Sequence, residues 1–270
     1  MDEILRKAEL FINDCLRYDT PRLSSEVLPG DVGVLSDIPY SDDGSPYHLL
    51  DVYYPGSEIS GDTAFFLIHG GAFVYGSKEL DRNFGMRLAK RSGIPVVNIN
   101  YTLMPECGIM GISRDIDLAM EYVRTRYGFD YFHFTGDSAG GYLAVLTALG
   151  CDNALSVSPI CGCYTIDRND FPGALFAAGD DIPPYMYDLK TMADGLKQMK
   201  VAVITGDDDF LREDNRKLAS LLPSCIFYDA ASEGGRVMTH VFPIGHPEWP
   251  EGERAIEIIA SFASGSQDAE

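Results

Sequence analysis

From residue 64 to residue 262, short apolar runs alternate with stretches of helical periodicity, and that alternation leaves few architectures open. A strand that is apolar on both sides needs cover on both faces. A chain that repeats strand and helix therefore builds a mainly parallel sheet with helices packed above and below it. The runs that read as strands are 64–68, 94–99, 131–135, 154–157, 201–205 and 225–228. Between them, 81–92, 113–127, 139–149, 215–222 and 251–262 carry apolar residues three and four apart and read as helices.

The flanks of this core differ from it. Residues 2–18 place Ile4, Leu5, Ala8, Phe11, Ile12, Cys15 and Leu16 at helical spacing, so an amphipathic helix opens the chain and must rest on something apolar. Residues 31–40 and 47–54 read as two strands of a hairpin, separated by the turn residues Ser41-Asp42-Asp43-Gly44-Ser45-Pro46. The stretch 164–199 breaks the rhythm with Pro, Gly, Asp and aromatic residues, as segments that cover a site often do. The expectation is one domain over 1–270, with a small cap contributed by 1–28 and about 164–199, and a polar tail at 265–270 that frays.

Composition narrows the partners. The formal charge of −20 on 270 residues opposes nucleic acid and anionic membrane surfaces, which attract clustered Lys and Arg. Acids at Asp2 and Glu3, with no long apolar run behind them, do not resemble a secretory leader, so a cytoplasmic location without stable membrane association is expected. Six cysteines scattered through a chain of this size read as reduced, mostly buried thiols. Cys161 and Cys163 form the one close pair, but lack the neighbouring Cys or His ligands of a zinc site, so no metal is expected and a structural role is favoured. Oligomeric state is not legible at this level.

The chemistry concentrates at Gly136-Asp137-Ser138-Ala139-Gly140-Gly141, between the strand ending at Thr135 and the helix beginning at Ala139. A sharp strand-to-helix elbow lifts a serine hydroxyl above the sheet edge, and glycines two before and two after it avoid side-chain clashes. Ser138 is thus the candidate nucleophile. A second loop, His69-Gly70-Gly71-Ala72-Phe73-Val74-Tyr75-Gly76, follows the strand ending at Ile68. Small residues there let backbone N–H groups approach an oxyanion, and the residue after the nucleophile adds another donor. Gly71, Ala72 and Ala139 are the candidate donors, with Gly70 as support.

A serine hydroxyl needs a base, and the base an orienting acid, in the chain order nucleophile, acid, histidine. Gly206-Asp207-Asp208-Asp209-Phe210-Leu211 follows the strand 201–205, and the loop 230–239 leads to His240. His48 and His69 precede the nucleophile and His133 lies inside a strand. His246 is the rival of His240, but its place before Pro247-Glu248-Trp249-Pro250, where the last helix begins, suits packing better.

Together these residues resemble the hormone-sensitive-lipase-like branch of the α/β-hydrolases, which includes bacterial carboxylesterases and acetyl esterases. The elbow Gly136 to Gly141 matches that branch. His69-Gly70-Gly71-Ala72 resembles its His-Gly-Gly-Gly loop, Asp209-Phe210-Leu211 its Asp-Pro-Leu, His240-Val241-Phe242 its His-x-Phe, and Tyr101-Thr102-Leu103-Met104-Pro105-Glu106 its Tyr-Arg-Leu-Ala-Pro-Glu. The resemblance spans about residues 47–262 and implies an α/β-hydrolase fold, a Ser138-Asp209-His240 triad, a cap and no cofactor. Asp207 and Asp208 are then turn residues. Ala72 departs from the third glycine of the loop and restricts the backbone angles there. The reaction implied is hydrolysis of a small-molecule acyl ester through an acyl-enzyme. Amide or formamide hydrolysis would use the same triad, and a non-catalytic receptor on the same fold would be expected to have lost its base. The small cap suggests short acyl chains.

Overall fold

The computed structural model describes residues 1–176 and 182–263. Part of the expected cap segment, 177–181, and the tail 265–270 lie outside those residues. Among the described residues, eight strands form one sheet. They are β1 (Val32–Pro39), β2 (Leu49–Pro55), β3 (Thr63–Ile68), β4 (Val96–Ile99), β5 (Tyr131–Asp137), β6 (Ala154–Ile160), β7 (Lys200–Gly206) and β8 (Ile226–Ala230). Their spatial order is β1-β2-β4-β3-β5-β6-β7-β8. The hairpin of β1 and β2 is antiparallel and β2 joins β4 antiparallel, while the pairings from β4 to β8 are parallel.

Two cores follow from the period-2 geometry of a strand. Ala64, Phe66 and Ile68 of β3 point into one core and Phe65 and Leu67 into the other. In β7, Val201 and Val203 join the first while Ala202 and Ile204 join the second. Helices α3 (Ile109–Tyr127) and α4 (Ala139–Gly150) cover the first face through Ile112, Ile116, Tyr142 and Leu143. Helices α2 (Arg82–Ser92) and α8 (Pro250–Ser261) cover the second through Phe84, Leu88, Ala255 and Ile259. Each Val, Leu, Ile or Phe among them removed from water contributes about 1.5–3 kcal/mol before entropy is charged against it, which explains why the apolar runs show so clearly in the sequence.

The departures from the sequence reading have local causes. β4 begins at Val96 instead of 94, because Pro95 has no N–H to give a ladder; its carbonyl instead accepts from Phe65 N–H at 2.8 Å. Helix α3 starts at Ile109, and α7 (Arg212–Leu221) starts at Arg212, each earlier than periodicity alone indicates. Helix α1 (Asp2–Ser25) runs on through Pro21. Its last turn is held by Arg22, which donates to Asp19, to Glu26 and to the carbonyls of Leu80 and Ile244.

Within 164–199 the described residues include short helix α5 (Gly173–Phe176) and α6 (Leu189–Leu196). Met192 and Leu196 of α6 are buried in the first core, so this helix is the crossover between β6 and β7, and among the described residues the irregular part of 164–199 lies before it. Asp188 caps it, accepting from the N–H groups of Lys190 and Thr191. Helix α1 reaches that irregular stretch through a Lys7–Asp170 ion pair at 2.5 Å and a Phe11–Phe171 ring contact at 5.6 Å.

Candidate active site

β3, β5 and β7 all end on the same side of the sheet, and the loops that leave them supply the candidate site. This is where open parallel sheets gather ligands. Ser138, the first residue after β5, has φ 51° and ψ −117°, a conformation that a β-carbon makes costly by about 1–3 kcal/mol. Its N–H donates to Ile160 O at 2.8 Å, so the neighbouring strand clamps the elbow. A β-carbon on Gly136 would stand 2.4 Å from Ile68 O, and one on Gly140 would stand 2.0 Å from the same atom. Both approaches are far below contact distance and both meet backbone, so the turn closes only on glycine.

His240 brings the other groups together. Its Nε2 lies 3.0 Å from Ser138 Oγ, and its Nδ1 lies 2.7 Å from Asp209 Oδ1. Asp209 also accepts from Leu211 N–H at 2.9 Å, and its second oxygen accepts from Thr205 Oγ at 2.7 Å. Burial pushes the Asp209 carboxyl up, but the His240 hydrogen bond and charge, then Leu211 N–H and Thr205, outweigh it and hold the acid below its ordinary value. The phenyl ring of Phe210 lies 4.2 Å from the His240 imidazole.

The neighbouring acids do other work. Asp208 pairs as a β-bridge with Thr239, next to His240. Asp207 accepts from Ser232 N–H at 2.8 Å and Ser232 Oγ at 2.5 Å, and Ser232 Oγ in turn accepts from Met238 N–H at 3.0 Å. The loop that carries His240 is therefore tied to the loop that carries Asp209.

The other histidines are engaged elsewhere. His48 contacts Asp43 and Asp115, and His133 contacts Ser156. His246 stacks on Trp249 at 3.8 Å, in keeping with packing. His69 stacks on Tyr101 at 4.3 Å, and burial pushes its pKa down to about 4, so it is neutral at pH 7.

In the facing loop, Gly71, Ala72 and Phe73 have φ of 108°, 52° and 64°, so Ala72 adopts the left-handed conformation despite its β-carbon. Among the described residues the N–H groups of Gly71, Ala72 and Ala139 meet no protein acceptor. That of Gly70 is committed to Asp137 Oδ1 at 2.7 Å. Asp137 thereby joins the elbow to the loop. Burial pushes its carboxyl up to about 6, against the Gly70 N–H bond and the charge of His240. Asp81, wholly buried beside it, is pushed well above the ordinary range by burial and then by the Asp137 charge. Of the two carboxyls, Asp81 is thus the one burial opposes more strongly as an anion.

A cavity of about 500 Å³ opens on Ser138 and His240, with Phe11 and Cys15 of α1 and Phe171 and Pro172 among its walls. Three residues here carry weight that sequence reasoning did not give them. Asp137 was visible only as a letter of the elbow motif, Thr205 had no signal, and Cys161 was weighed against the wrong neighbours. Cys161 is buried, accepts from Val241 N–H at 3.4 Å, and has its sulfur within 4.8 Å of ligand atoms of both Asp209 and His240.

Comparison with known proteins agrees with this architecture. Residues 65–166 match the model of a family described as alpha/beta hydrolase fold. The carboxylesterase/phospholipase LipF of Mycobacterium tuberculosis is 25% identical over 231 residues, covering 72% of this chain and 60% of that protein. The chain thus spans about 60% of the length of the curated relatives it matches. Esterase B from Lactobacillus rhamnosis, inhibited by a C4-C4 SN3 tributyrin phosphonate, superposes with a TM-score of 0.85 at 24% identity, covering 97% of this chain and 95% of that one. An esterase of the bacterial hormone-sensitive lipase family superposes with a TM-score of 0.75 at 20% identity, covering 97% of each chain. Among the described residues no helix is long and apolar enough to cross a membrane. By strand order and superposition, the chain has the α/β-hydrolase fold.

Proposed function

We propose that the protein is a serine carboxylesterase that hydrolyses short-chain acyl esters of small molecules, with Ser138, His240 and Asp209 as its triad. The observation that carries this reading is one imidazole held 3.0 Å from a strained serine hydroxyl and 2.7 Å from a buried carboxylate. In the first half-reaction Ser138 Oγ attacks the acyl carbonyl while His240 Nε2 takes its proton. The C–O bond to the alcohol then breaks, and the same proton goes to the departing alkoxide. In the second half, water attacks the acyl-enzyme, gives its proton to His240, and the carboxylic acid leaves as Ser138 recovers its hydrogen.

Asp209 fixes the tautomer that leaves Nε2 free to accept, and it stabilises the imidazolium. The N–H groups of Gly71, Ala72 and Ala139 receive the oxyanion, and Gly70 acts as support through its bond to Asp137. The whole chain acts as one domain, with α1 and the irregular segment after β6 as its cap, and the reaction needs no cofactor.

Hydrolysis of p-nitrophenyl butyrate, with covalent labelling of Ser138 by an alkyl phosphonate, tests this reading. Turnover and a modified Ser138 peptide are expected. A folded protein that neither turns over nor labels would overturn it. A protein that labels and cleaves p-nitroanilides but not esters would make it an amidase instead.

A further inference from the structure

We propose that Cys161, Asp209 and His240 form a binding site for a thiophilic divalent cation such as zinc, and that filling it switches the hydrolase off. The three side chains come from three different elements. Cys161 directly follows β6, Asp209 lies in the loop after β7, and His240 in the loop after β8. The sulfur, a carboxylate oxygen and a ring nitrogen all lie within 4.8 Å of one another. A tetrahedral zinc ion needs ligands at about 2.0–2.3 Å from its centre, hence about 3.2–3.7 Å from each other, so small side-chain movements close the site. The set of one thiolate, one carboxylate and one imidazole is the donor chemistry zinc prefers, with a water completing four-coordination.

Charge balance favours such an ion in a place that otherwise disfavours charge. Cys161 is wholly buried, where an isolated thiolate would be costly and a bound cation would offset that cost. Zinc binding ejects the thiol proton to solvent, and the thiolate with the Asp209 carboxylate then neutralises the two positive charges of the cation.

The imidazole is affected most. Its Nδ1 faces Asp209 at 2.7 Å, so that is the nitrogen the cation takes. The proton held there must leave, and neutral imidazole then carries its hydrogen on Nε2, the nitrogen 3.0 Å from Ser138 Oγ. In that tautomer Nε2 has no lone pair for the serine proton. Inhibition therefore comes from locking the base in the wrong tautomer, without blocking the cavity. The inhibitory half of this inference rests on the triad reading proposed above; the binding half does not.

Two measurements separate the halves. First, the inert Ser138→Ala protein is titrated with cobalt(II), whose coordination by a thiolate gives a near-ultraviolet charge-transfer band. A band saturating at one equivalent, displaced by zinc and lost in the Ser138→Ala/Cys161→Ser double variant, is expected. Absence of the band, or its persistence without Cys161, overturns the site whatever the activity. Second, inhibition of ester hydrolysis by zinc chloride is measured at fixed pH, with reversal by EDTA. The inhibition constant should rise at least 100-fold in Cys161→Ser and Cys161→Ala, each measured against its own metal-free rate, and stay within about twofold of wild type in Cys163→Ser. An unchanged constant in both Cys161 variants, or a loss of inhibition in Cys163→Ser, overturns the switch. A protein that binds cobalt as expected but shows no hydrolase activity would defeat the proposed function and leave the metal site standing.

Discussion

Ser138 holds a backbone angle that its own β-carbon resists, and the energy for that comes from the two strands and the glycines that clamp it. The hydroxyl is thus presented by the elbow and is not packed, so Ser138→Ala is expected to keep its thermal midpoint while losing ester hydrolysis by about 10,000-fold or more. Residual activity above a hundredth of wild type would exclude Ser138 as the nucleophile. Among the three consecutive acids, Asp209→Asn should cost orders of magnitude in kcat, because the amide favours the wrong tautomer of His240, whereas Asp208→Asn should cost far less. The reverse pattern would reassign the acid.

Asp137 gives a prediction of a different kind. Its folded pKa of about 6 stands above the unfolded value of about 3.9, so its protonated form contributes stability that is complete below about pH 4 and lost as pH rises through 6. Asn at this position can still accept from Gly70 N–H and carries no such penalty. The melting-temperature difference, Asp137→Asn minus wild type, should become more positive between pH 4.5 and pH 7.5. A flat or falling difference would show that the carboxyl is not held as described. Sequence order was enough to single out Ser138 and His240 as candidates, whereas Asp209 was picked from three consecutive acids only by the resemblance of Asp209-Phe210-Leu211 to Asp-Pro-Leu. Sequence order could not reveal that Asp137 grips Gly70 or that Cys161 lies under His240, because both contacts join residues that only the sheet brings together.

At the scale of elements, the legible parts are those whose burial repeats with a period. β3, β5 and β7 are buried on both faces, and their limits differ from the sequence reading by two residues or fewer. Helix α6 was hidden in the segment read as a cap because it spans only Leu189–Leu196 and follows a Pro-rich stretch. Its buried side chains are ordinary core residues that composition could not separate from an insertion. The start of α3 was masked by Gly108 and Gly111, whose helix propensity is poor and which tertiary packing overrides.

A close element junction lies between the end of β3 and the first turn of α4, where Gly140 meets backbone atoms of Ile68 and His69. Gly140→Ala would force a β-carbon to within 2.0 Å of Ile68 O, so the helix must move away from the sheet. The variant should lose about 2 kcal/mol or more in urea unfolding, or fail to accumulate as folded protein. A midpoint within error of wild type would mean that the elbow is looser than its contacts imply.

The whole molecule sets how large a substrate can be. The cavity above Ser138 holds about 500 Å³, and on the proposed function the acyl portion of the ester would enter it. Its roof is made partly of α1, which has one buried residue, Ala8, and half-buried Ile4, Phe11 and Ile12 against the core, while Leu5, Leu10 and Leu16 face solvent. A channel that continued past Phe11 and Phe171 would bury each added methylene for about 0.8 kcal/mol, raising kcat/KM about fourfold per carbon. From butyryl to decanoyl, six such steps would multiply the rate about 4,000-fold. The Phe11 and Phe171 rings, with centroids 5.6 Å apart, line this cavity, and if they act as its end wall, as the proposed function requires, added carbons would have to displace the cap or remain in water. Specificity constants across p-nitrophenyl esters of two to twelve acyl carbons should therefore peak between acetyl and butyryl and fall beyond hexanoyl. Phe171→Ala should move the peak to longer chains by opening the roof while leaving the rate on acetyl esters within about threefold of wild type. A wild-type maximum at eight carbons or more would mean that the cavity extends under α1, and that the ring pair is a gate and not a wall.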